Sequence, residues 1–292
     1  MKKKSSLKHT GAFWAFCAPC CILFGVFFLV PLVLSIAFSF TNYDGWKTID
    51  FVGLTNYITL FKDSKFYLSL GRTLLYTVCT LPFRVIIPLL VAVLLCSKRV
   101  AAKSLTRTMV YIPVLMSALV VGITINWMFS QEYGLVNFII RSLGGTALEW
   151  SLNPRLATFV IAFASVWASI GFNMILYIGG INSISNDLYE AATIDGASGV
   201  QAFFRITVPI LAPTTFMVVL LSTVNLLKEY ALVQGITQGG PGLSTTFIIQ
   251  YIFDKGFNQM QYGYASAIST VVMIIFALIA FAQFKVNNGG ET

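Results

Sequence analysis

The sequence predicts an all-α protein that crosses a bilayer six times and carries one helical hairpin outside the hydrocarbon. Three observations predict it. Of its 292 residues, 57% are hydrophobic and only 10% charged, with a mean hydropathy of +0.80. A soluble domain cannot bury that much apolar surface. The apolar residues gather into long runs, at residues 12–40, 70–96, 109–130, 157–181, 209–234 and 264–284. Each is long enough to cross about 30 Å of hydrocarbon. Between the fourth and fifth runs, residues 185–208 carry helix punctuation of their own.

Composition also excludes classes. The net charge of +8 is judged by where the Lys and Arg lie, and no nucleic-acid partner is expected. Cys17, Cys20, Cys21, Cys79 and Cys96 fall inside or at the end of apolar runs, with no partnered His or Cys at metal spacing. They are expected to be small packing residues rather than disulfides or metal ligands. The lone histidine, His9, sits in a basic leader. With one His and no acidic cluster, neither a catalytic residue nor a metal site is expected.

In chain order, residues 1–11 form a basic leader with Lys2, Lys3, Lys4 and Lys8. The run that follows is too long for a signal peptide and reads as an uncleaved first span. Pro19 and Pro31 would kink it or mark its ends. In the loop at 41–70, Val52, Leu54, Tyr57, Leu60 and Phe61 recur at helical spacing, which suggests a short amphipathic helix at the interface. Residues 12–284 make the membrane body, and residues 285–292 a polar tail. The leader, the loop with Lys98, Arg99, Lys103 and Arg107, the hairpin with Arg205 and the tail with Lys285 fall on one side. In the facing loops Lys47, Lys62 and Lys65 are offset by Asp44, Asp50 and Asp63, and Arg141, Arg155 and Lys255 are spread thinly. Lys/Arg bias therefore puts both termini and the hairpin in the cytoplasm.

The hairpin reads as helix, glycine bend, helix. Asp187 and Glu190 fit a capping box for a helix over about 188–195. Gly196 stands where a left-handed residue ends it. Ser198 and Gln201 fit a second capping box, opening a helix that runs towards Pro209 with Phe203, Phe204 and Ile206 as its apolar residues. An amphipathic hairpin lying on the membrane is the plain alternative. A DNA-reading helix-turn-helix is discounted because Asp187, Glu190 and Asp195 would repel phosphate.

Glu190-Ala191-Ala192, then Gly196, then Ile206, Val208 and Pro209, resembles the EAA loop of ABC-importer permeases, with Val208 in place of the family's leucine. The wording from Tyr189 through Asp195, Gly196, Ala197 and Ser198 is similar to the sugar-importer branch. So are Phe51 to Tyr57, Thr237 to Pro241 and Gly263 to Ala267, so the resemblance runs nearly end to end. It implies a subunit that works with a second permease, two ATPase subunits and an extracytoplasmic solute-binding protein in the lipid bilayer. It also implies that Glu190, Ala191, Ala192, Asp195, Gly196, Ala197 and Pro209 couple to the ATPase. The chain has no Walker sequence, so no cofactor is expected here, and ATP with Mg would be bound by the partner ATPases. An ion-coupled transporter would not need the EAA pattern, and a membrane enzyme would need clustered titratable residues.

Ionisable groups in the spans call for a reason, since each costs roughly 2.5–3.5 kcal/mol by insertion scales. Arg84 lies between Pro82 and Pro88 and either lines a cavity, pairs with a partner, or snorkels from the span's outer third. Asn225 and Glu229 would share a helix face with Lys228 beside it, either lining the translocation path or forming an interhelical ion pair. Asn126, Trp127 and Asn173 complete the pathway candidates, because amide edges and aromatic faces suit hydroxyl-rich solutes. Tyr177 is read as an interface anchor. Gly171, Gly179 and Gly180 are expected to permit close helix packing. Arg84 and Lys228 would also serve an anion such as a glycerol phosphate, which leaves the solute open.

Overall fold

A computed structural model describes residues 10–46, 49–97 and 102–288. Lys2, Lys3, Lys4, Lys8, His9, Lys47, Lys98, Arg99 and the tail beyond Asn288 lie outside the described residues. Among the described residues there is no strand, only an isolated bridge between Thr41 and Phe51.

Helix α1 is built from Thr10–Phe24, a π turn at Gly25–Leu29, and Val30–Phe38. Helices α2 (Thr55–Lys62) and α3 (Ser64–Cys96) follow, then α4 (Lys103–Leu115), α5 (Ala118–Met128), α6 (Leu135–Ser142) and α7 (Pro154–Asn182). The hairpin holds α8 (Asn186–Ile194) and α9 (Gly199–Ile210). Next come α10 (Ala212–Leu227), α11 (Ala231–Ile236), α12 (Ile248–Phe253, continued by a π turn at Asp254–Asn258) and α13 (Tyr262–Asn288).

By length and composition, Phe16–Phe38, Ser64–Cys96, Pro154–Asn182 and Tyr262–Val286 each suffice to cross a membrane. Two bent pairs, α4 with α5 (100°) and α9 with α10 (68°), bring the number to six if each pair is one span. The third run, expected to be continuous over 109–130, is thus broken. Pro113 offers no N–H to the carbonyl four residues back. The helix ends within a turn, and Met116 and Ser117 are extended (ψ 145 and 134). Both prolines that follow π turns have the same local cause. Val30 N–H bonds to Gly25 O just ahead of Pro31, and Val208 N–H bonds to Phe203 O just ahead of Pro209. The widened turn absorbs the missing donor. The last helix runs on to Asn288, so residues 285–288 belong to it rather than to the tail.

The chain divides into two compact units. One takes in residues up to Asp63 with Ile252–Ile275, and the other Ser64–Tyr251 with Phe276 onward. In the first unit, the amphipathic helix expected in the first loop is α2, with Leu60 fully buried. Asn56 Nδ2 donates to the carbonyls of Ser39 (2.9 Å) and Thr41 (2.8 Å), tying α2 to the end of α1. The Tyr57 hydroxyl lies 2.7 Å from Ser39 Oγ.

In the second unit, α3 packs on α7 and α10, α4 on α7, and α5 on α11. Two apolar cores result. One gathers Tyr76, Val121, Ile125, Trp150, Ile161, Ala164, Leu226, Leu232 and Phe247. The other gathers Ala92, Leu95, Met174, Tyr177, Ile178, Leu211 and Val218. Tyr177 is therefore a fully buried core residue and not an interface anchor. Of the glycines expected to pack closely, Gly171 does: a Cβ there would sit 2.7 Å from Val110 O. Gly180 does so against Leu211 and Thr214, whereas Gly179 faces open space. The cysteines are free, with Cys20, Cys21 and Cys79 exposed on span surfaces. Among them only Cys96 packs against a core, so the packing role expected of all five holds there alone.

A candidate coupling hairpin and a buried polar layer

The hairpin is held by local bonds that the sequence dictates. The cap of α8 is Ser185, two residues ahead of the expected Asp187. Ser185 Oγ accepts from Asp187 N (3.3 Å) and donates to Asp187 Oδ2 (3.1 Å). The hydroxyl precedes the first turn, so it reaches the free N–H first. Asp187 then lies inside that turn, where its charge suits the helix dipole. At the other end, Gly196 has φ +75, its N–H bonds Thr193 O (3.1 Å), and Ala197 N–H bonds Ala192 O (2.8 Å). That double bond pattern is the Schellman motif. Ser198 and Gln201 form the reciprocal capping box that opens α9. The Tyr189 hydroxyl meets Thr207 Oγ1 at 2.9 Å and staples α8 to α9.

Glu190, Ala191, Asp195, Gly196 and Pro209 are exposed, and Ala192 and Ala197 half-buried. Ala192, Asp195, Gly196 and Ala197 line one hollow of about 350 Å³ with Arg205 and Ile206. A groove of about 790 Å³ runs along the hairpin past Tyr189, Glu190 and Phe203 and the ends of α3 and α7. Ile194 is 86% exposed and Phe204 64%, an apolar surface that the described residues leave uncovered.

The pathway candidates separate into two groups. Arg84, Asn173 and Glu229 come together, all buried. Arg84 Nη2 donates to Ser165 Oγ (2.5 Å) and lies 3.9 Å from Glu229 Oε2. Asn173 Nδ2 donates to Arg84 O (2.9 Å) and to Ser222 Oγ (3.2 Å). Arg84 sits mid-helix in α3 and does not snorkel; it pairs. Asn126 is half-buried, and Trp127, Asn225 and Lys228 are exposed outside this cluster. The face shared by Asn225 and Glu229 does not form, because α10 ends at Leu227 and α11 starts after Tyr230 (φ −140). Glu229 instead accepts from Leu232 N (3.4 Å). Ser165, Ser222 and Thr80 were not singled out from sequence. Their signal was hydroxyls recurring inside apolar spans.

Arg72, also unflagged, donates to Leu243 O, and Thr73 Oγ1 accepts from Ile248 N (2.8 Å). These bonds fasten the segment that follows the Thr237–Pro241 wording to α3. Within that loop Thr245 Oγ1 donates to Gly240 O (2.6 Å) and Thr246 Oγ1 to Gly239 O (3.2 Å).

Comparison with known proteins gives consistent matches. The family described as "Binding-protein-dependent transport system inner membrane component" matches residues 54–288. The arabinooligosaccharides transport system permease protein AraP of Bacillus subtilis is 32% identical over 94% of this chain and 88% of its own length. The lactose transport system permease protein LacF of Rhizobium radiobacter is 31% identical over 93% and 92%. Among solved structures, a bacterial ABC transporter involved in the import of the acidic polysaccharide alginate has a chain of the same fold. It shows a TM-score of 0.83 and 24% identity, over 97% of this chain and 96% of that one. With the hairpin, the apolar spans and the family match in agreement, the chain belongs to the binding-protein-dependent transport system inner membrane components, the permease subunits of ABC importers.

Proposed function

We infer that the chain passes a sugar or oligosaccharide through the membrane after an extracytoplasmic solute-binding protein delivers it. A second permease completes the path, and two ATPase subunits, which bind the ATP and Mg, drive it. Both termini and the hairpin face the cytoplasm, as the Lys/Arg distribution favours. The observation that carries this reading is the hairpin itself. It is a short, rigidly capped helix with exposed Ile194, joined through α9 and a 68° bend to α10. A push on Glu190–Asp195 would move α7 and α10 as stiff levers around a central cavity.

The relatives' names support a saccharide: arabinooligosaccharides for AraP and lactose for LacF. The polar layer favours an uncharged one over a glycerol phosphate. Of the two cations that would suit an anion, Arg84 is buried beside Glu229 and is not free to hold one, which leaves Lys228 alone, exposed outside the layer. The test is uptake into proteoliposomes holding this chain with its partner permease, ATPases and binding protein. ATP-dependent uptake of a neutral oligosaccharide, untouched by excess glycerol 3-phosphate, is expected. Uptake that follows an ion gradient without ATP would overturn the importer reading; uptake of glycerol phosphate alone would overturn the saccharide.

A further inference from the structure

The buried charges Arg84 and Glu229 sit in a layer that separates the two apolar cores. On α3, Tyr76 belongs to one core and Ala92 and Leu95 to the other, with Arg84 between them. On α7, Ile161 and Ala164 lie on one side of Ser165 and Asn173, and Met174 and Tyr177 on the other. Towards α10 and α11, Ser222 separates Val218 of one core from Leu226 of the other, and Glu229 follows between Leu226 and Leu232. So three spans are joined at this level by polar contacts, with close apolar packing on either side.

The layer coincides with the unwound turn at residues 228–230. An interrupted helix at membrane depth exposes backbone donors that only protein groups can satisfy. Glu229 satisfies one of them, accepting from Leu232 N in the first turn of α11. Arg84 supplies the counter-charge and is aimed by Ser165. The fit is incomplete. Arg84 Nε and Thr80 Oγ1 are buried without a hydrogen-bond partner. The hydroxyl of Tyr76, one turn from Thr80 on the same helix face, is likewise buried without a hydrogen-bond partner. Apolar side chains would fill such a layer at least as well, since a buried ion pair is often neutral or worse for stability than a hydrophobic replacement. The charges therefore need a purpose other than holding the fold.

We propose that Arg84 and Glu229 are positioning residues: a latch that pins the unwound turn of the fifth span to α3, so that motion entering from the hairpin through α9 and α10 reaches α11 as a defined step. Neither residue touches the solute. The latch rests on the importer reading above, since it transmits the force that reading supplies.

The test uses the assembled importer with its partner chains, in proteoliposomes, and reads solute imported per ATP hydrolysed. Glu229→Gln keeps an acceptor for Leu232 N but drops the charge. It is expected to assemble, to hydrolyse ATP at near the wild-type rate, and to import at least tenfold less per ATP. The double variant Arg84→Met with Glu229→Leu is expected to assemble and to be uncoupled in the same way. The swap Arg84→Glu with Glu229→Arg should recover part of the coupling. A double variant that imports with wild-type coupling overturns the latch, because packing alone then suffices. Should Glu229→Gln fail to assemble, the double variant decides alone, since it removes both charges and leaves neither buried without its partner. Failure of the wild-type complex to import with ATP would sink the importer reading instead, so the two outcomes are distinguishable.

Discussion

Gly122 and Gly235 lie back to back. A Cβ on Gly122 would stand 3.0 Å from the Gly235 Cα, and one on Gly235 would stand 2.9 Å from the Gly122 Cα and 2.7 Å from Leu119 O. The contact lets α5 and α11 approach backbone to backbone. Gly122→Ala or Gly235→Ala is expected to destabilise the chain by about 1–3 kcal/mol, the usual cost of overpacking. Gly179→Ala, where nothing lies within 4 Å, should be neutral or stabilising by roughly 0.5–1 kcal/mol, because alanine suits a helix interior better. Thermal unfolding of the purified protein in detergent compares the three; equal losses at all positions would contradict the close approach.

Gly196 makes the opposite demand. No neighbour crowds it, yet its φ of +75 is a conformation that side chains resist. Substitution there acts through the backbone alone, at a cost of about 1–2 kcal/mol for most residues. Gly196→Asn, which tolerates that region, should import nearly as the wild type does. Gly196→Val and Gly196→Pro should still dock the binding protein yet lose coupling of ATP hydrolysis to import. Normal transport by Gly196→Pro would contradict the lever.

Asn137 is fully buried and makes four bonds. Its Oδ1 accepts from Leu148 N (3.1 Å) and Trp150 Nε1 (2.9 Å), and its Nδ2 donates to Gln131 O (3.1 Å) and Leu148 O (2.9 Å). Asn137→Leu should cost on the order of 1–3 kcal/mol for each donor left unsatisfied. Trp150 fluorescence should shift and the melting temperature fall together; an unmoved Trp150 emission would show that the loop is held elsewhere.

Asn56→Ala frees the carbonyls of Ser39 and Thr41, at about 0.5–1.5 kcal/mol for each bond lost. Hydrogen exchange in residues 39–62 should quicken. Thr59→Ala, whose hydroxyl bonds only to Thr55 O one turn back in α2, should leave that exchange unchanged.

The sequence showed what local chemistry decides. Gly196 and the Ser198–Gln201 box are short-range signals, and both take the geometry their residue types demand. Span positions were legible from apolar runs, because hydrocarbon thickness sets their length. What it did not show depends on pairing across distance. Nothing in the order of residues tells that Arg84 meets Ser165, 81 positions later, or that Asn173 bridges it to Ser222. Interruptions were half legible. Pro113 held a signal for the break before α5, although the run was read as continuous, but the turn at 228–230 has no proline or glycine, only the charged pair Lys228–Glu229 where an apolar helix would have continued. A helical face was therefore drawn through residues that are not helical.

The π turn at Phe203–Thr207 turns chain length into angle. It holds one residue more than the α-helical ladder would, and each residue swings a helix by about 100° about its axis. Removing a single residue between Ala202 and Pro209 would thus leave both helix caps of the hairpin as they are, yet it would face Glu190 in another compass direction from α10. An insertion or deletion here is a rotation, and the hairpin would turn its Glu190 face away from the ATPase proposed to push on it.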